Sequence, residues 1–392
     1  MSLRAGDWVE VRSKEEILCS LDANGRLNGL PFMPQMFNYC GRRFRVYKSA
    51  HKTCDTVNWT GGRRLPDGVH LENLRCDGQA YGECHAACLL FWNAAWLKPA
   101  SENPSSSETA DASNARLHPS ELATGCSEEA VWAGRLAKDQ DAGKEPKYAC
   151  QATDLPLFTT LLPWWDARQY VKDYTSGNAS LGRLMRGAVY ACCYYFIKPM
   201  GRASRIRETL RVLYDPIVSL WGGVPFPRRR GTLAHGWSAP LVSLNLQPGE
   251  LVRVKSYKEI LDTMGSDNKN RGLYFDAEMV PFCGKTFRVR SRVSQFIRED
   301  NGRMATLKTP AVILENAWCQ ACYSDRRMHC PRSIFPWWRE VWLERIADPQ
   351  QSSTDYAETS DTDGTAHVCS KPIPPGRKAA YVSSPEDQKC AN

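Results

Sequence analysis

The chain has 392 residues, 42% hydrophobic and 24% charged, with a formal net charge of +8. That length allows two or three domains, and that composition excludes wholesale disorder. No apolar run approaches the roughly 20 residues that span a bilayer, so an integral membrane protein is excluded. Without a signal-peptide core at the N-terminus, the expected location is cytoplasmic. Sixteen cysteines in a reducing compartment point to metal more than to disulfide.

From the N-terminus the first feature is half of an internal repeat. GDWVEVRSKEEIL, starting at Gly6, matches GELVRVKSYKEIL, starting at Gly249, and the offset of 243 holds without a gap. Over residues 6–46, 16 of 41 positions are identical. Val9 and Val11 alternate with charged residues, as a half-buried strand requires. Ile17-Leu18 fits a short helical turn. Cys40-Gly-Arg-Arg-Phe-Arg-Val and Val69-His-Leu-Glu fit two more strands. Each copy is expected to be a small SH3-like β-barrel, a fold-level analogy that licenses no function. Trp92 and Trp96, like Trp338 and Trp342, stand four apart and predict a helix closing each copy, anchored on the barrel or offering a stacking face.

The expected fold class is α+β. Residues 1–98 form the first module and 241–347 the second. Residues 99–147, with Ser105-Ser106-Ser107, are expected to be a flexible linker. Residues 148–240 are expected to be a helical segment, with two helices within 181–221 broken near Pro199-Met200-Gly201. Ile206, Leu210, Leu213 and Ile217 keep helical spacing on the second. The tail, 348–392, is expected to be disordered and carries Cys369 and Cys390.

The opening GDWVEVRSKEEI, the stretch HKTCDT, the phrase DLPLFTTLLPWWD and the ending CPRSIFPWWREVWLER resemble a family of uncharacterised bacterial proteins with duplicated modules of this type. The resemblance covers most of the chain outside the linker and tail. It implies no activity, so the function must be argued from chemistry.

Cys54, Cys76, Cys84 and Cys88 in the first module form one candidate metal set, and Cys319, Cys322 and Cys330 in the second form another. Thiolates suit zinc or an iron–sulfur cluster, and a small module gains from a metal staple. Cys54 falls on Ile297 under the repeat, so the second set lacks its fourth cysteine. His329, Asp325, Cys283 or solvent would fill the place. Three ligands and an open position are the pattern of a catalytic centre. Asp325 and His329 are the candidate catalytic groups there. His51, Asp55, Asp77, His85, Asp154 and Asp166 are further polar candidates near the cysteine loops or the Leu-Pro-Trp-Trp element.

Residues 181–230 hold nine Arg and one Lys against Glu208 and Asp215, a local charge of +8. Arg205, Arg207 and Arg211 are the candidate anion-binding residues. A solvated helix face, an anionic lipid surface peripheral to the membrane, and nucleic acid are the competing readings. The chain lacks a GxxxxGK[ST] loop, a GxGxxG turn, HExxH and GxSxG. The sequence therefore suggests a metalloenzyme of lyase, hydratase or redox type acting on an anionic substrate, with two iron–sulfur or zinc sites. The competing expectation is a non-catalytic, zinc-stapled protein that binds nucleic acid, lipid or another protein.

Overall fold

Trp8–Val11 forms a strand whose Val9 and Val11 are fully buried, as their alternation requires. A capping box follows: Ser13 Oγ accepts the Glu16 amide at 3.2 Å, while the Ser13 amide donates to Glu16 Oε2 at 2.9 Å. It starts the helix Lys14–Ser20 and seats Ile17 in the core. The second copy repeats this device, with Ser256 and Glu259 starting the helix Tyr257–Leu261 behind the strand Leu251–Val254.

The computed structural model describes residues 3–102, 125–200, 205–234 and 236–347. Residues 103–124 of the expected linker, Gly201 at the expected helix break, and the tail with Cys369 and Cys390 lie outside the described residues. The fold is α+β. One five-stranded antiparallel sheet runs in the order Trp92–Asn93, Gly68–Leu71, Arg43–Ser49, Trp8–Val11, Leu97–Pro99. The second runs Trp338–Arg339, Met304–Leu314, Thr286–Ile297, Leu251–Val254, Leu343–Arg345. The strand order is the same in both, and Val9 opposite Phe44 is matched by Val252 opposite Phe287. None of the described sheets closes into a barrel.

The tryptophans do not sit on helices. In each module the first stands on a short strand and the second ends a three-residue 3-10 turn, Ala94–Trp96 or Glu340–Trp342, that leads into another short strand. Both flanks are claimed by the sheet: Trp92 pairs with Val69, and Leu97 with Val11. Ladder hydrogen bonds on either side leave no room for a helix to propagate. All four indoles are fully buried. Phe32 meets Trp96 edge-on at 5.2 Å between ring centres, and Phe275 meets Trp342 likewise at 5.3 Å. The indoles anchor each core, and none offers a stacking face.

Two helices, Leu181–Ile197 and Arg205–Ser219, form the basic middle. On the second, Tyr214 and Val218 face inward, while Ile206, Leu213 and Ile217 are exposed. The inward face is therefore rotated from the one that the periodicity suggested. Within the expected linker, Glu128–Ala133 is a helix whose Val131 is buried against the first core.

Candidate functional site

Each module sends a two-stranded arm into the other's cysteine loop. The first arm is the hairpin Lys52–Cys54 with Gly62–Arg64, extended by Thr160–Leu162. The Cys54 amide at its tip donates to Cys330 Sγ at 3.1 Å. The second arm is the far end of Thr286–Ile297 with Met304–Leu314. The Ile297 amide donates to Cys84 Sγ at 3.4 Å. Cys54 and Ile297 are the equivalent positions of the repeat, so the two arms make the same backbone contact reciprocally.

The loops they reach are built alike. The Cys76 amide donates to the Cys88 carbonyl at 2.8 Å, and the Cys319 amide to the Ile334 carbonyl at 2.7 Å. At sulfur after sulfur the backbone amide two residues further on works against the rise caused by burial: Gly78 at Cys76, Ala86 at Cys84, Ala152 at Cys150, Ala321 at Cys319, Arg332 at Cys330. Such amides favour the thiolate over the thiol. The turns need left-handed backbone, at Gly78 (φ 79°) and Ala321 (φ 52°) among others. A Cβ on Gly78 would lie 2.1 Å from the Cys84 carbonyl oxygen, so only glycine fits this turn.

The cysteines regroup from their expected sets. Cys76, Cys84, Cys88 and Cys150 line one small cavity of about 40 Å³. Cys54 is absent from it. Instead Cys54, Cys319 and Cys330 pack together, on the wall of a wide cavity of about 680 Å³. Cys322 points away, toward the middle helices, with its thiol donating to the Gln320 carbonyl at 3.7 Å. Cys150 was missed because it lies beyond the linker, outside either copy; its only signal was position, a lone cysteine opening an ordered segment. The two cavities share a wall of Ala86, Ile297, Glu299 and Arg332.

Burial governs the electrostatics. It pushes the Cys150 thiol up to about 11 and Cys76, Cys84 and Cys88 upward too; Glu299 adds to the rise at Cys84, Cys88 and Cys150, and neighbouring thiols at Cys76, Cys88 and Cys150. Cys54 is the exception. A hydrogen bond shared with Cys330, then Arg332 and Arg327, lower its pKa, while Cys330 is held up by burial and by Cys54. The pair thus holds one proton in preference to two. Burial raises Glu278, on the same wide cavity, to about 7. Among the described residues no three His, Cys, Asp or Glu side chains stand close enough to hold a metal ion as they are placed.

Of the expected catalytic pair, Asp325 lines the wide cavity and His329 does not. Although burial opposes it, Lys198 at 2.7 Å and Tyr195 at 2.8 Å keep Asp325 below the usual carboxylate range. His329 faces Gly187 of the middle helix; burial, reinforced by Lys52, lowers it to about 4 and leaves it neutral. Cys283 lies against the second core, off the cavity. Arg211 stacks over Phe226 at 5.2 Å, Arg205 is exposed, and neither lines either of the two cysteine cavities; the side chain of Arg207 lies outside the described residues. Arg228, Arg298, Arg327 and Arg332 are the cations that line the wide cavity.

The other polar candidates are engaged in hydrogen bonds and ion pairs. Asp55 is fully buried and takes the amides of Val57 and Asn58 and the hydroxyl of Thr60, organising its own loop. Asp77 accepts the Gln79 amide at 3.1 Å, and His85 Nδ1 accepts the Ser294 amide at 3.3 Å on the second arm. His51 and Lys52 flank the buried Asp173, at 3.3 and 2.6 Å. Asp154 pairs with Arg26, and Asp166 with Arg64 and Arg168.

Compared with protein-family models and with curated proteins, the chain matches none.

Proposed function

We propose that the chain is a cysteine-ligated metalloprotein with one closed and one open site, built on a duplicated module and acting as a metalloenzyme on an anionic substrate. One observation carries the reading: seven cysteines from distant segments gather on two adjoining cavities. Buried polar groups arranged this way suit thiolate ligation better than plain core packing. Cys76, Cys84, Cys88 and Cys150 are the donors of the closed site, whose small cavity suits a single tetrahedral ion. Cys54, Cys319 and Cys330 are the donors of the open site, where zinc would supply a Lewis acid and an iron–sulfur cluster a Lewis-acid or redox centre. Loading requires the thiols to turn inward, in keeping with the coupling of metal binding to local folding.

The remaining wall supports the anionic substrate. Arg228 and Arg327 supply positive charge, with Arg228 fixed by the Tyr190 hydroxyl at 2.7 Å. Asp325 is ionised and can accept a proton, while Glu278 keeps one near neutrality and can donate it. Lyase, hydratase or redox chemistry is the class this supports. X-ray absorption at the edge of the bound metal tests the open site: all-sulfur coordination at both sites contradicts it, and a lighter ligand beside sulfur at one site supports it.

A second reading, peripheral contact with an anionic lipid surface, is favoured by the exposed Leu213 and Ile217 on the helix that carries Arg205 and the exposed Leu220 and Trp221 just beyond its end. Flotation with anionic phospholipid vesicles tests it; failure of the protein to float at low salt contradicts it.

A further inference from the structure

We infer that the wide cavity takes a small aromatic anion, a planar ring bearing a phosphate or carboxylate, with the anionic group on Arg228 and Arg327 and the ring against Trp59. The inference rests on the anionic-substrate part of the reading above and is independent of any metal. At about 680 Å³ the cavity falls in the range that holds a small-molecule ligand. Its wall carries five carboxylates, and each already has a donor. Asp325 takes Lys198 and Tyr195, Glu299 takes Arg332, and Asp300 takes Arg298 Nη2 at 2.7 Å. Glu278 takes the Cys322 amide at 3.1 Å and the Ser324 hydroxyl at 3.0 Å, while Asp276 takes the Glu278 amide at 2.9 Å.

Two of the four guanidiniums on that wall have no such match. Arg228 is held by neutral groups alone, the Tyr190 hydroxyl at 2.7 Å and the Tyr323 carbonyl at 2.9 Å. The Arg327 guanidinium makes no hydrogen bond or ion pair among the described residues. Asp276 is the carboxylate whose charge reaches both, from beyond ion-pair distance. Two unmatched guanidiniums on a cavity favour an anion, and their planar forks suit phosphate or carboxylate oxygens.

The ring is argued from Trp59. Its side chain stands on the cavity wall and is 72% exposed, on left-handed backbone (φ 57°) that is uncommon for so bulky a residue. Asp55, by taking the amides of Val57 and Asn58 and the Thr60 hydroxyl, fixes the loop in that shape. The loop therefore presents the indole, with the Arg327 guanidinium 5.8 Å from its ring centre. Tyr274, Phe296 and Trp337 add aromatic wall to the same cavity. Trp59 belongs to the first module and Arg327 to the second, so the ligand is recognised by the paired modules and by neither alone.

Isothermal titration calorimetry of the full chain with 2-naphthyl phosphate, hexyl phosphate and 2-naphthol tests the inference. 2-Naphthyl phosphate should bind at about one equivalent per chain, and about tenfold or more tighter than either of the others, the scale of one aromatic contact. Trp59→Ala removes an exposed side chain and spares the fold. It should weaken 2-naphthyl phosphate about tenfold and leave hexyl phosphate unchanged. Arg327→Gln should weaken both phosphates and leave 2-naphthol unchanged. If hexyl phosphate binds as tightly as 2-naphthyl phosphate, the anionic reading stands and the aromatic inference fails. If neither phosphate binds, or 2-naphthol binds as tightly, the anionic reading fails and the inference with it. If Trp59→Ala leaves 2-naphthyl phosphate unchanged, the ring sits elsewhere and the inference is overturned.

Discussion

The Cys54 amide donates to Cys330 Sγ at 3.1 Å, joining residues 276 positions apart and belonging to different modules. The twin contact, Ile297 to Cys84, runs the other way. Neither cysteine set is therefore the property of one module. Each is completed by the other's arm, so the sites and the pairing of the modules form together.

Cys54→Ser should remove about one of the two bound metal equivalents, the one at the open site. Cys322→Ser should leave metal content unchanged, because that thiol faces the middle helices. Metal analysis of the two purified variants checks this, and the reverse result would restore the grouping by sequence proximity.

Cys150→Ser should behave as loss of a structural ligand. Soluble yield falls and metal affinity drops about tenfold or more at the closed site. Yield after expression in zinc- and iron-supplemented medium, with a chelator titration, measures it.

Gly78→Ala should cost more than about 3 kcal/mol, since overlap with the Cys84 carbonyl adds to a left-handed backbone. Gly143, with φ 75° and open space around it, is the control. Gly143→Ala should cost about 1 kcal/mol. Urea denaturation of both variants makes the comparison.

Glu278 gives the chain a defined pH dependence. Its folded pKa, about 7, lies above the ordinary value of 4.5, because burial and Asp276 outweigh the Cys322, Tyr323 and Ser324 donors. The folded state then holds the proton more tightly, so the stabilisation is full below pH 4.5 and fades as pH rises through 7. Against Glu278→Gln, the wild type should lose on the order of 3 kcal/mol across that window. Parallel denaturation series at stepped pH read the difference; a constant gap contradicts it.

Much of the fold could be read from the residues, because the repeat and its alternation are local. Val9, Val11, the short helical turn at Ile17-Leu18 and the two middle helices are set by neighbours a few positions away. The Trp92–Trp96 turn was misread because spacing by four fits a helix and a 3-10 turn between strands equally well. Barrel closure failed as an expectation since it depends on edge pairing that no local pattern encodes. Six of the seven gathered cysteines were legible as ligand types. Their partition was not, since the exchange of arms that moves Cys54 across to Cys330 is set by tertiary contact, and Cys150 lies beyond the repeat.

The most direct measurement is the metal and acid-labile sulfide content per chain, with an absorption spectrum, on protein purified without oxygen. The account predicts about two metal sites per chain, as zinc ions or iron–sulfur groups, each lost separately in Cys54→Ser and Cys150→Ser. A folded chain with neither metal would contradict it and leave the seven cysteines as core packing.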